Sequence, residues 1–161
     1  MPETKKAIIR KNIEYLRSDI DEDVTIVAAS KTRTPQEIRS AILSGIRIIA
    51  ENYVNEAKEK YHALKDFFQK HGTQLHLIGP LQSNKTRIAV DIFDMIQTVD
   101  RPKILHAIDK ESARIDKVMP ILIQVNIGEE PQKSGCALAD LPGLIRMAED
   151  KKNLVLKGFM C

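Results

Sequence analysis

The chain has 161 residues, enough for one domain with a substantial core, and its net charge is +3 from 25 basic and 22 acidic side chains. This near balance, with only 4% aromatic residues, argues against a nucleic-acid surface, and no window approaches the ~18 apolar residues of a membrane span. The two cysteines and four histidines show no disulfide framework or metal-ligand spacing. The charged N-terminus lacks the apolar core of a secretion signal, so we expect a cytoplasmic protein with no membrane partner.

Short apolar runs alternate with helix-patterned segments along the whole chain. Six strands are predicted, near residues 24–30, 46–50, 74–78, 95–99, 120–127 and from 153 onward. Six helices are predicted, near residues 3–19, 34–45, 53–69, from 83, 102–115 and 138–148. The second helix opens with the capping box of Thr34 and Glu37. No linker or composition break divides the chain, so residues 1–161 are predicted to form one domain.

Repeated βα units predict a parallel sheet covered by helices, either an open doubly wound sheet or a (β/α) barrel. The fifth strand favours the barrel, because Leu122, Gln124 and Asn126 share one of its faces. Two amides fit poorly beneath a helix, but they suit a barrel interior near its mouth. The opposite face carries only apolar residues, up to Ile127.

The predicted strands are too few for a complete barrel. A TIM-type barrel has eight strands in about 250 residues, and this chain supplies about six. We therefore expect an incomplete TIM-type (β/α) barrel in a sequence that is a piece of a longer protein. The apolar end of the last strand supports the same expectation.

Chemistry in βα folds concentrates at the carboxyl ends of the strands. Lys31 follows the apolar run of residues 24–30 and alternates with Thr25, Val27 and Ala29, so it ends the inner column of the barrel if that set points inward. Partial desolvation beside an apolar interior disfavours the charged form of a lysine, and the free amine then attacks carbonyls to form a Schiff base. Judged by position alone, a solvated lysine is the alternative.

The other polar residues at strand ends have two interpretations each. Asn52 either caps the following helix or contacts a ligand. Glu51 either pairs with Lys31 or favours the dipole of that helix. Paired carboxylates at glycosidase spacing, a Cys/His pair and a glycine-rich phosphate loop are all missing from the sequence.

Six segments carry a resemblance when they are taken together and in order: VAASKTRTPQEI, AENYVNEA, LHLIGPLQSNK, TVDR, IQVNIGEEPQKSG and GFMC. From about Val24 onward the chain resembles the pyridoxal-phosphate-binding homeostasis proteins, a family similar to the barrel domain of alanine racemase. The resemblance implies that Lys31 carries pyridoxal phosphate as a Schiff base. It also implies that Asn52 lies beside the cofactor ring, with Ile78 and Met160 as apolar neighbours.

Two departures from the family qualify what the resemblance implies. Ala50 stands where the family usually has a glycine before Glu-Asn, and an extra methyl group there is tolerable. The family also places a serine-rich phosphate-binding loop and an Arg-Ile-Gly segment on strands seven and eight, and neither occurs here. We therefore expect the 161-residue chain to bind the cofactor poorly. Lys133 matches a further family position, and its role stays open.

The resemblance implies a non-catalytic carrier that takes part in intracellular pyridoxal phosphate homeostasis, with pyridoxal-phosphate-dependent apoenzymes as candidate partners. An amino-acid racemase is the alternative, but it needs a second acid/base group opposite the lysine. Tyr53 is the one tyrosine near a strand end, and we expect no second domain within these 161 residues to close the site. A Schiff-base aldolase is a third interpretation, with Asp100 or Glu51 as its acid/base group.

Overall fold

A computed structural model describes residues 4–161. Its helices are α1 (Lys5–Ser18), α2 (Pro35–Leu43), α3 (Val54–His71), α4 (Thr86–Ile92), α5 (Pro102–Arg114) and α6 (Leu141–Glu149). Its strands are β1 (Val27–Ala29), β2 (Ile48–Glu51), β3 (Gln74–Leu77), β4 (Met95–Val99), β5 (Met119–Gln124) and β6 (Leu154–Met160). A short 3₁₀ turn, Ser83–Lys85, leads into α4. Strands and helices therefore alternate as the sequence predicts.

The order of the strands decides between the two predicted architectures. The sheet runs β1-β2-β3-β4-β5-β6, and each strand pairs in parallel with its neighbour along the chain. A doubly wound sheet reverses its order at a switch point, whereas an unbroken sequential order belongs to a barrel. The predicted (β/α) barrel is confirmed. Within residues 4–161, β1 and β6 do not pair with each other, so the barrel is open between them.

The core lies between the outer face of the sheet and the helices. Leu77, Ile96 and Ile121 are aligned across β3, β4 and β5, and all three are fully buried. Ile104 and Ile108 of α5, which are also fully buried, belong to the same apolar cluster. The opposite, concave face of the sheet is the barrel interior, where the strand ends meet.

Local signals explain where two helices begin and end. Helix α2 starts at the predicted capping box, because Thr34 Oγ1 accepts a hydrogen bond from Glu37 N (3.3 Å) and Glu37 Oε2 accepts one from Thr34 N (2.8 Å). Helix α3 ends at Gly72, whose φ of 58° lies in the left-handed region that glycine adopts without strain. Within residues 4–161, no helix combines the length and the apolar character that crossing a membrane requires.

Two predicted strands are too long. Strand β1 covers only Val27–Ala29, because its first partner in β2 is Ile48 and the residues before Val27 have no neighbouring strand. Strand β5 ends at Gln124, so Ile127 is 61% exposed and does not continue the buried outer face. Val125 N still donates to Met160 O (2.8 Å), and beyond it Asn126 Nδ2 donates to Glu130 O (2.9 Å) within the loop that follows β5.

Candidate functional site

The concave carboxyl edge of the sheet brings together three of the predicted site residues. A hydrogen bond from Ser30 N to Ala50 O (2.8 Å) continues the register of β1 and β2 beyond their paired residues. The register of β2 and β3 continues in the same way. Lys31, Asn52 and Ile78 follow the carboxyl ends of β1, β2 and β3, at one level of this extended register. Lys31 is exposed there, whereas Asn52 and Ile78 are partly buried.

The fourth predicted residue lies on the last strand. Met160 pairs with Gln124 of β5, and both side chains are partly buried. Met160 O also accepts a hydrogen bond from Val125 N (2.8 Å). Met160 is thus placed at the same carboxyl edge as Lys31 but on the far edge strand of the open sheet.

A cleft joins the end of β3 to the ends of β5 and β6. It measures about 410 Å³, and its lining includes Pro80, Gln124, Lys133 and Cys161. Lys133 pairs with Glu130 on the rim of this cleft. The loop after β5 therefore forms one wall of the carboxyl edge and carries the loop lysine whose role the sequence leaves open.

Two buried amide oxygens at this edge have no hydrogen-bond partner among the described residues. They are Asn52 Oδ1 and Gln124 Oε1. A buried acceptor without a partner costs free energy, and such groups are found where a ligand or an ion completes the site. Asn52 does not cap α3, since the N-cap residue is Tyr53 and no side chain there accepts a cap hydrogen bond. The helix-cap interpretation of Asn52 is therefore wrong.

Gly79 fixes the backbone at Asn52. A Cβ atom built on Gly79 would lie 2.0 Å from Asn52 O, far inside van der Waals contact, so only glycine lets the two chain segments approach this closely. Thr98 Oγ1 donates to Gly79 O (2.7 Å) and holds the segment from the opposite side. The position of the Asn52 amide is thus set by three neighbouring strands.

The face below Ile78 carries a hydrogen-bonded histidine. His76 Nδ1 accepts from Gln97 Nε2 (2.9 Å), and His76 Nε2 donates to Gln74 Oε1 (3.1 Å). Burial lowers the pKa of His76, which keeps the ring neutral and matches this donor and acceptor pattern. His76, Gln74 and Gln97 thus form a hydrogen-bonded polar group on the concave face, further from the carboxyl edge than Lys31.

A buried charged cluster lies on the outer side of the same strand ends. Lys60 Nζ donates to Glu51 Oε1 (2.7 Å) and to Glu56 Oε1 (2.7 Å). Lys60 also donates to Ser30 O (2.6 Å), and Ser30 Oγ donates to Glu51 Oε1 (2.5 Å). The hydrogen bond from Lys60 lowers the pKa of Glu56. The predicted pairing of Glu51 with Lys31 is wrong, because Glu51 pairs with Lys60 under α3 instead. Its interaction with the dipole of α3 stays a prediction.

Sequence reasoning missed Lys60, although the sequence carries a signal for it. Helix α3 buries a stripe of apolar side chains that includes Ala57 and Leu64. Lys60 lies on this stripe and is 8% exposed. A charged residue on the buried face of a helix needs a partner, and the acidic residues at the start of α3 and the end of β2 are the nearest candidates.

The groups required by the alternative enzymes are placed poorly for catalysis at Lys31. Tyr53 is 63% exposed and lines a surface cleft together with Asn52 and Lys85. Asp100 pairs with the neighbouring Arg101 (2.5 Å).

Comparisons with known proteins agree with this architecture. The pyridoxal phosphate homeostasis protein of Vibrio alginolyticus is 33% identical over 162 residues, which cover 94% of this chain and 70% of that protein. The PipY protein of Synechococcus elongatus PCC7942, solved with PLP bound, is 31% identical with a TM-score of 0.86, over 94% of this chain and 69% of that one. An alanine racemase of Corynebacterium glutamicum is 13% identical with a TM-score of 0.75, over 96% of this chain and 43% of that one. This last similarity shows a common fold.

The family assignment rests on nearly the whole chain. Residues 5–161 match the family described as alanine racemase, N-terminal domain. The match therefore includes all six strands of the open barrel and the carboxyl edge that carries Lys31. The chain belongs to the alanine racemase N-terminal domain family, and its curated relatives are named pyridoxal phosphate homeostasis proteins.

Proposed function

We propose that this chain binds pyridoxal phosphate through a Schiff base on Lys31 and takes part in pyridoxal phosphate homeostasis. The observation that carries the proposal is the position of Lys31 beside an amide with an unpartnered oxygen, that of Asn52, on the concave carboxyl edge. The names of its relatives and the PLP bound to PipY support the same ligand.

The residues at this edge fit the cofactor. Pyridoxal phosphate supplies an aldehyde that condenses with an amine. Lys31 presents the amine, and Ile78 and Met160 offer apolar side chains for contact with the ring. Asn52 lies one strand away from Lys31, where its unpartnered amide can hydrogen bond to polar groups of the ring.

A carrier explains this site better than an enzyme. A racemase requires a second acid/base group that faces the substrate across the lysine. Among the described residues, Tyr53 is 63% exposed, Asp100 pairs with Arg101 and Glu51 pairs with Lys60, so each of the candidate groups is either open to solvent or already held by another partner. Retention and release of the cofactor need no such group. Pyridoxal-phosphate-dependent apoenzymes are the recipients we propose, and the free thiols of Cys136 and Cys161 suit a reducing cytoplasm.

Borohydride trapping tests the proposal directly. The chain is incubated with millimolar pyridoxal phosphate, reduced with borohydride, digested and mapped by mass spectrometry. We expect one dominant adduct, on Lys31, that disappears in Lys31→Ala and persists in Lys58→Ala, which changes an exposed lysine of α3. A dominant adduct on another lysine, or equal labelling of Lys31→Ala, contradicts the proposal.

A further inference from the structure

The charged cluster of Glu51, Glu56 and Lys60 forms hydrogen bonds with both residues that flank Lys31, which are Ser30 and Thr32. We infer that Glu56 and Lys60 are positioning residues, which hold the backbone around Lys31 and thereby aim its amine into the barrel interior. This inference rests on the proposed function of Lys31. It assigns a role to two residues of α3 that lie outside the cofactor edge.

The anchoring uses one contact on each side of the lysine. Before Lys31, Ser30 O accepts a hydrogen bond from Lys60 Nζ at 2.6 Å. After Lys31, Thr32 N donates to Glu56 Oε1 at 2.7 Å. The same Glu56 oxygen accepts from Lys60 Nζ at 2.7 Å, so a single ion pair holds both peptide groups.

The backbone conformation of Thr32 is unfavourable in itself and has to be stabilised by other contacts. Its φ is 64°, in the left-handed region that a β-branched residue rarely adopts. Such a conformation persists where the surrounding structure enforces it, and it is concentrated at functional sites. The hydrogen bond from Thr32 N to Glu56 supplies this constraint one residue after the reactive lysine.

The burial of the cluster argues for a role beyond stability. Glu51 is fully buried and Lys60 is 8% exposed, so their charges are removed from water. Buried ion pairs rarely stabilise a fold more than well-packed apolar side chains would, and their best-attested use is to specify one arrangement of the chain. In this molecule the specified arrangement is the turn that carries Lys31, because Ser30 O and Thr32 N are direct partners of the cluster.

The role predicts a graded response at position 56. In Glu56→Ala, Thr32 N loses its acceptor, and we expect the affinity of Lys31 for pyridoxal phosphate to fall about tenfold. In Glu56→Gln the side-chain oxygen still accepts from Thr32 N, and we expect a loss of at most about threefold. Glu59→Ala is the matched control, since Glu59 is an exposed acid of the same helix. Affinity is measured by borohydride trapping across a concentration series.

Amide hydrogen exchange at Thr32 provides a readout independent of the cofactor. Exchange should accelerate about tenfold in Glu56→Ala and stay near the wild-type rate in Glu56→Gln and Glu59→Ala. The urea midpoint of each variant, measured in parallel, separates loss of positioning from global unfolding. A partial rescue by Gln at an unchanged urea midpoint supports positioning.

Three outcomes overturn the inference. Glu56→Ala retains wild-type affinity, or Gln fails to rescue the loss, or Thr32 exchange is unchanged in Glu56→Ala. If wild-type protein forms no adduct on Lys31, the proposed function fails, and Thr32 exchange alone then decides whether Glu56 anchors the turn.

Discussion

At the scale of single residues, Lys60 has the largest expected energetic effect. Its ammonium group contacts Glu51, whose carboxylate is fully buried. Removing one partner of a buried ion pair leaves an uncompensated charge, which costs about 3–5 kcal/mol. We therefore expect Lys60→Met to lower the free energy of unfolding by about that amount, measured by urea denaturation. Lys58→Met, at an exposed position of the same helix, should change it by less than about 0.5 kcal/mol. Equal effects of the two variants would contradict this account.

Gly79 allows a second prediction at this scale. An added methyl group would collide with the backbone of Asn52, so Gly79→Ala should cost about 2–3 kcal/mol and displace the Asn52 amide. The control is Gly143→Ala in α6, where a Cβ atom meets no atom within 4 Å and the helix gains up to about 1 kcal/mol. Urea denaturation and borohydride trapping measure the two effects. Similar stability of both variants would show that the backbone relaxes around the new methyl group.

The residue-level predictions differ in how much the sequence supports them. Lys31 could be proposed from its position after an apolar strand, and the resemblance supports its role. The sequence left Asn52 between a cap and a ligand contact, because the exact start of α3 decides this and helix starts are hard to place within one or two residues. The partner of Glu51 was missed, because Lys60 is nine positions away on another element, and its position on the buried stripe of α3 was the one signal for the pair.

At the scale of elements, the capping box of α2 gives a prediction about pH. The backbone N–H of Thr34, and next its hydroxyl group, lower the pKa of Glu37 to about 2 from an ordinary value of 4.5. A depressed pKa in the folded state stabilises the protein above about pH 4.5, and this contribution is lost as the pH falls towards about 2.

We therefore expect Glu37→Gln to reduce the loss of stability between about pH 4.5 and pH 2, since glutamine keeps the capping contact without titrating. Urea midpoints measured from pH 6 to pH 2 check this expectation. Glu59→Gln, at an exposed position outside the cap, should follow the wild-type curve. If the urea midpoint of Glu37→Gln falls with pH as steeply as that of the wild type, the Glu37 carboxylate contributes nothing to the loss of stability in acid.

The ends of helices and strands were predicted well where a local sequence signal marks them. They were predicted poorly where they depend on which residues pair with the neighbouring strand. The capping box marks the start of α2, and Gly72 in its left-handed conformation marks the end of α3. The bounds of β1 and β5 depend on which residues find a partner in the next strand, and periodicity alone does not contain that information. The exposed Ile127 illustrates this, because its apolar character continues the pattern of β5 after the pairing has ended.

At the scale of the whole molecule, the open barrel has a direct consequence for binding. Val27, on the concave face of β1, is 39% exposed, and Lys31 is exposed at the same edge. A Schiff base that water can reach is hydrolysed readily, so we expect half-saturation with pyridoxal phosphate only at about 0.1–1 mM. An absorbance titration measures this, with Lys31→Ala as the blank. Stoichiometric binding at micromolar cofactor would show that six strands suffice to close the site.

The architecture was predictable as a whole because repeated βα units leave few alternatives. Of the two amides that favoured the barrel, Gln124 lies on the face of β5 opposite the buried Ile123, whereas Asn126 follows β5 in the loop, where it hydrogen bonds to Glu130. What the sequence could not provide is the distance between the edge strands, which depends on the curvature of the entire sheet.

The contact between Thr32 and the first turn of α3 has a consequence for how sequence variants are interpreted. A substitution on the side of that helix that faces β1 touches neither the aldehyde nor the ring of the cofactor, yet in an assay it would appear as a loss of cofactor binding. Genetic screens for lost retention should therefore recover positions remote from the ligand. Such positions would show how a helix outside the cofactor site determines the direction in which the Lys31 amine points.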